Sequence, residues 1–149
     1  MHFPDLTPYD ASSQLIAVGW LEPGQDYRRG EVLPEFVRTL VDLLIDPWQP
    51  GVAMGRHSCG FCRLTGGPTS FQSANLAASP VIQMGNSNLW LPADRFVYVV
   101  PSLILHYMDS HEYSPPLELQ RAALACPPMR SMEYLKAILK NGPKGLIRK

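Results

Sequence analysis

Proline punctuation constrains this chain more than any other feature. Proline stands at fifteen of 149 positions, about twice its usual share. Each one fixes its own φ, removes an N–H donor and pushes the residue before it out of the α region. Helices and strands must therefore be short, with much of the backbone in ordered loops. Hydrophobic residues make up 46% and charged residues 17%, the balance of a chain that folds rather than one that stays disordered. A single domain is expected at this length, and a domain so rich in loops gains from a staple.

The staple is expected to be a metal. No apolar run approaches the roughly 18 residues that span a bilayer, and MHFPDLTPYD lacks the basic and apolar regions of a leader. The expected location is cytoplasmic, where three cysteines favour thiolate or metal chemistry over disulfides. Cys59-Gly60-Phe61-Cys62 has the spacing of a zinc knuckle, in which two thiolates converge and backbone amides offset their charge. Gly60 frees the turn, and Phe61 can cover the sulfurs with apolar surface. His106 and His111 supply a second pair within the His-x3–5-His range of zinc sites. On a straight helix these two imidazoles would point about 140° apart, so convergence requires the helix to end near Asp109 or Ser110. One structural zinc ion on Cys59, Cys62, His106 and His111 is the expectation, with His57 as a reserve ligand that could replace His111. Cys126, before Pro127-Pro128, reads as an ordinary buried thiol.

The expected fold is α+β, a small antiparallel sheet with three to four helices. Gln14 to Leu21 reads as a buried strand. Leu33 to Ile45 reads as a helix opened by Pro34 and stopped by Asp46-Pro47, with Phe36, Val37, Leu40, Leu43 and Leu44 on its apolar stripe. Val81 to Met84 and Leu89 to Leu91 suggest a hairpin around Gly85 to Asn88, followed by a strand at Arg95 to Val100. Helices follow at about Ser102 to His111, Leu117 to Ala125 and Ser131 to Lys140, the last with Met132, Leu135, Ile138 and Leu139 along one stripe.

The order knuckle, hairpin, strand and ligand-bearing helix over residues 57 to 111 resembles a treble-clef zinc finger. HSCGFC together with YVVPSLILHYMDSHEYSPP resembles an uncharacterised family of small bacterial proteins that carry a His-x-Cys-x2-Cys segment and a later His-x4-His-x-Tyr-x-Pro-Pro segment. FPDLTPY and GWL are similar too, so that resemblance covers about residues 3 to 120 and implies no known activity.

Charge divides the chain unevenly. Residues 1–129 carry seven arginines against twelve acids, whereas residues 130–149 carry six basic residues against Glu133 alone. The expected organisation is a zinc-stabilised domain over 1–129 and a basic amphipathic helix and tail over 130–149. The tail can touch nucleic acid or pack on the acidic body of its own chain. A disulfide-oxidoreductase reading of Cys59 and Cys62 is disfavoured, because Gly66-Gly67-Pro68 leaves only about one turn for the helix that would activate a thiol and no βαβ pattern surrounds it. A zinc hydrolase would need an open coordination position, with Asp109 or Glu112 as base, but Pro115 breaks the His-Glu-x2-His pattern that begins at His111. The expected function is therefore a non-catalytic module that binds a protein partner, as an adaptor, regulator or toxin-neutralising protein. Nucleic-acid binding through residues 130–149 and zinc-dependent hydrolysis are the alternatives. Trp48, in a loop between prolines, is the candidate anchor for a partner if exposed.

Overall fold

A computed structural model describes residues 2–9, 14–50, 58–73 and 79–143 of the chain. The class is α+β. A four-stranded sheet has the order β1-β2-β6-β5, from Thr7–Pro8 (β1), Leu15–Ala17 (β2), Asn88–Pro92 (β5) and Val97–Pro101 (β6). Ser70–Phe71 (β3) and Ile82–Gln83 (β4) form a separate pair. The helices are Pro34–Leu44 (α1), Ile104–Ser110 (α2), Leu117–Ala125 (α3) and Met132–Asn141 (α4).

Proline sets the helix boundaries as the sequence suggests. Pro34 is the first helical residue of α1, after an extended Leu33, a position where its missing N–H costs nothing. The helix buries Phe36, Leu40, Val41, Leu43 and Leu44 and ends ahead of Asp46-Pro47.

The sheet is mixed rather than antiparallel throughout. β2 runs parallel to β6, with Leu15, Ile16 and Ala17 opposite Val97, Tyr98 and Val99. Parallel neighbours need a long crossover, and here it carries α1 and the knuckle. The hairpin also differs from the expected one. β4 pairs with β3, and β5 pairs with β6 through five registered pairs from Asn88↔Pro101 to Pro92↔Val97. Gly85-Asn86-Ser87 is a connection tied to the next helix, since the Gly85 N–H donates to Ser102 Oγ at 2.9 Å and the Ser102 N–H to the Ser87 carbonyl at 3.1 Å. β5 is the edge strand of the sheet, and these bonds to Ser102 carry the connection away from a tight turn, so β4 joins β3 instead.

Strand alternation divides the core in two. Leu89, Leu91, Tyr98 and Val100 pack with α1, α2 and α3, while Leu15, Ala17, Trp90, Val97 and Val99 lie with Tyr134 and Ile138 of α4. The α4 stripe is rotated from the expected one: Tyr134 and Ile138 are buried, whereas Met132 and Leu139 are 68% and 55% exposed. The Tyr134 hydroxyl donates to the Trp90 carbonyl, which fixes the face that α4 presents, and Ser131 caps the helix by accepting from the Tyr134 N–H. Trp48 is half-buried against this junction, edge-on to Trp90 and Tyr134, so it is not the exposed anchor the sequence suggested.

Candidate metal centre

The knuckle is built from backbone hydrogen bonds and close glycine contacts. The Cys59 N–H donates to the Gly66 carbonyl and the Gly66 N–H to the Cys62 carbonyl, both at 2.7 Å, and the Cys62 N–H reaches the Cys59 carbonyl at 3.3 Å. Gly67 has φ +90, and a Cβ there would lie 2.8 Å from Cys59 Cβ; no other residue fits both conditions. Gly60 has a different task from the one its sequence position suggests. A Cβ on it would come 2.9 Å from Pro23 Cδ, so its bare α-carbon lets the Pro23 loop pack on the knuckle.

The second half comes from the end of α2. The helix stops at Ser110, and His111 caps it with φ −123 and ψ 15, its N–H still bonded to the Tyr107 carbonyl. Glu112 then takes φ 58, turning the chain out of the helix. The early stop anticipated near Asp109 or Ser110 thus occurs, and it redirects the His111 side chain toward His106.

The four side chains converge. Cys59 Sγ, Cys62 Sγ and one ring nitrogen each of His106 and His111 lie within 4.8 Å of one another. The His106 and His111 Nε2 atoms are 3.3 Å apart. Cys62 Sγ is 3.4 Å from His106 Nε2 and 3.7 Å from His111 Nε2, and Cys59 Sγ is 3.5 Å from His111 Nε2. A tetrahedral ion with bonds of about 2.3 Å to sulfur and about 2.05 Å to nitrogen has edges of about 3.3 Å for N···N and about 3.6 Å for S···N. The observed separations match those edges. Hydrogen bonding alone does not account for them, because His111 Nε2 carries at most one proton and has three such neighbours. His57 lies outside the described residues.

The surroundings hold the histidines in the form a metal needs. Burial lowers the pKa of His106, with nearby His111 adding to the effect and Asp109 opposing it. Burial and Arg29 lower that of His111. Both rings thus favour the neutral, ligating state. Burial raises the Cys59 thiol, so the charge of a thiolate there calls for a cation beside it. Phe61 packs on the histidine side of the site, its ring 4.9 Å from that of His111. Tyr27, which no sequence pattern singles out, donates from its hydroxyl to the His111 carbonyl at 2.9 Å.

The remaining candidates are not among the clustered ligands. Asp109 and Glu112 are exposed, and Glu112 faces Arg29 at 3.7 Å. The Cys126 thiol donates to the Pro127 carbonyl, and burial pushes its pKa up to about 12. Residues 58–69 form turns without a helix, so the knuckle does not open a helix as the cysteine pair of a disulfide oxidoreductase does.

These features define an α+β domain organised around a Cys2His2 cluster able to hold a metal ion. Residues 1–124 match the family model of a domain of unknown function, DUF7919, and the chain belongs to that family. No curated protein and no solved structure matches it. Among the described residues no helix is long and apolar enough to cross a membrane.

Proposed function

We propose that the cluster binds one structural zinc ion through Cys59, Cys62, His106 and His111, and that the domain so held works without catalysis, by binding a protein partner. The observation that carries this reading is the three S···N separations and the one N···N separation, which match the corresponding edges of a tetrahedron. Two sulfurs and two imidazoles suit zinc better than magnesium, calcium or manganese, which prefer oxygen. Four protein ligands complete the shell of a structural site and leave no position for an activated water, which weighs against the hydrolase alternative with Asp109 or Glu112 as base.

The order of knuckle, hairpin and helix supports a treble-clef-like arrangement: His106 sits in the first turn of α2, and the difference is that His111 lies just beyond the end of this short helix. In this reading residues 1–129 are the zinc-held body, and the helix within 130–149 is clasped to it. The motif resemblance favours a bacterial protein, and the free cysteines favour a reducing, cytoplasmic compartment. Protein is preferred to nucleic acid as partner because the body is acidic, which repels a phosphate backbone, and because Arg130 is drawn to Asp46 at 3.3 Å.

Elemental analysis of the purified protein tests the metal reading: one equivalent of zinc in wild type, lost together with thermal stability in Cys59→Ser. Wild type that purifies folded but without zinc would reject it. For the partner, reversing the exposed charges with Lys136→Glu and Lys140→Glu leaves α4 docked through Tyr134 and Ile138. Partner capture is expected to survive that change, whereas loss of tight nucleic-acid binding by the wild type in the same variant would favour the alternative.

A further inference from the structure

Three segments that stand out in the sequence, FPDLTPY, GWL and HEYSPP, meet at one carboxylate. Asp5 Oδ1 accepts from the Gly19 N–H at 2.9 Å, and Asp5 Oδ2 accepts from the Tyr113 hydroxyl at 2.7 Å. Gly19 has φ +85, and a Cβ there would press on Ile104 at 3.3 Å. Tyr113 is fully buried, so its hydroxyl must find a partner inside the protein, and the ionised acceptor makes this bond a strong one.

Tyr113 stands two residues beyond His111, and the two are tied to a common point: the Tyr107 carbonyl accepts from the N–H of His111 at 3.0 Å and of Tyr113 at 3.2 Å. The Tyr113 ring packs edge-on to Tyr27 at 6.1 Å, and Tyr27 donates to the His111 carbonyl. Asp5 thus holds the segment that aims His111.

We propose that Asp5 and Tyr113 are positioning residues for the metal centre, and that seating of the N-terminal arm and binding of the ion reinforce each other. The proposal rests on the zinc reading given above. The arm itself is held by the Phe3, Leu6 and Tyr9 N–H groups donating to the carbonyls of Trp20, Ala17 and Leu15, so its order has its own reporters. Linkage requires the effect to be reciprocal: whatever factor the arm contributes to zinc affinity, zinc contributes to the arm.

The test is a double-mutant cycle in the full chain with Asp5→Ala, Tyr113→Phe and the pair, read by zinc affinity under chelator competition and by the visible bands of the cobalt-substituted protein. Each single change is expected to weaken zinc binding about 10- to 100-fold and to shift the cobalt bands. The pair is expected to be little worse than Asp5→Ala alone, because that change already removes the bond that Tyr113→Phe removes, together with the one to the Gly19 N–H. Thr7→Ala, which cuts the exposed arm bond to the Pro4 carbonyl, should leave zinc affinity within about twofold, well below the effect of losing such a support. Removing zinc from wild type should speed amide exchange at Phe3, Leu6 and Tyr9. Unchanged affinity and unchanged cobalt bands in Tyr113→Phe would overturn the proposal even if the wild type holds its zinc, and so would additive effects in the pair. Wild type that binds no zinc would reject the metal reading itself, and the proposal with it.

Discussion

His106 and His111 bring their Nε2 atoms to 3.3 Å from each other across five positions, a spacing that a continuing helix would turn into divergence by about 140°. The chain resolves the conflict by ending α2 at Ser110 and placing Glu112 at φ 58. A left-handed conformation costs a residue with a side chain roughly 1–2 kcal/mol, and Glu112 bears that cost at the exit from the site.

Glu112→Gly should therefore stabilise the protein by about 0.5–1 kcal/mol. The ion pair it removes is exposed, and such pairs contribute little. Glu112→Val should destabilise it and weaken zinc binding, because a β-branched residue resists this conformation. Chemical denaturation with matched metal content measures both.

Gly67 and Gly24 share a left-handed backbone but not their surroundings. An added Cβ at Gly24 meets nothing within 4 Å, whereas at Gly67 it would lie 2.8 Å from Cys59 Cβ. Gly24→Ala should cost about 1–2 kcal/mol and leave the zinc content intact. Gly67→Ala should cost more than that and lower zinc occupancy, since Cys59 must move. Equal effects of the two changes on zinc content would separate Gly67 from the site.

Much of this site is legible in the sequence. Cys59 and Cys62 announce themselves by spacing, and His106 and His111 by theirs, because metal ligands are few in kind and short-range geometry limits their separation. The proline rule likewise places α1 to within a residue at each end. The unread parts depend on contacts between distant segments. Tyr27 belongs to no local pattern, and Asp5 lies in FPDLTPY without its task being readable there; both roles follow from where the chain folds them. The Gly66-Gly67-Pro68 breaker is visible, but its close approach to Cys59 is not. The partner of β5 and the buried face of α4 are hidden for the same reason: both depend on which distant segment the fold places beside them, which local periodicity does not reveal.

Tyr134 and Ile138 make α4 part of the fold rather than a loose basic tail. Ile138→Ala should cost about 2–5 kcal/mol. Tyr134→Phe should cost about 1–3 kcal/mol by stranding the Trp90 carbonyl. Met132→Ala and Leu139→Ala, on the exposed face, should change stability by under about 0.5 kcal/mol. Urea midpoints of the four variants check the rotated stripe directly.

Without metal, acid should destabilise the domain. Burial holds the folded-state pKa values of His106 and His111 below the ordinary 6.5, so in the window from that value down to the lowered ones the unfolded chain binds more protons than the folded one. Stability of the metal-free protein therefore falls as pH drops through this window and levels off below it. A pH series of thermal melts on chelator-treated protein, compared with a His106→Gln variant whose dependence should be shallower, measures the effect.

The most direct measurement is X-ray absorption at the zinc edge of the purified wild-type protein. Two sulfur neighbours at about 2.3 Å and two nitrogen neighbours at about 2.0–2.1 Å are the expected shell, with one sulfur lost in zinc-loaded Cys62→Ser. A wild-type protein free of zinc, or a shell with three protein ligands and a water oxygen, would contradict the closed structural site.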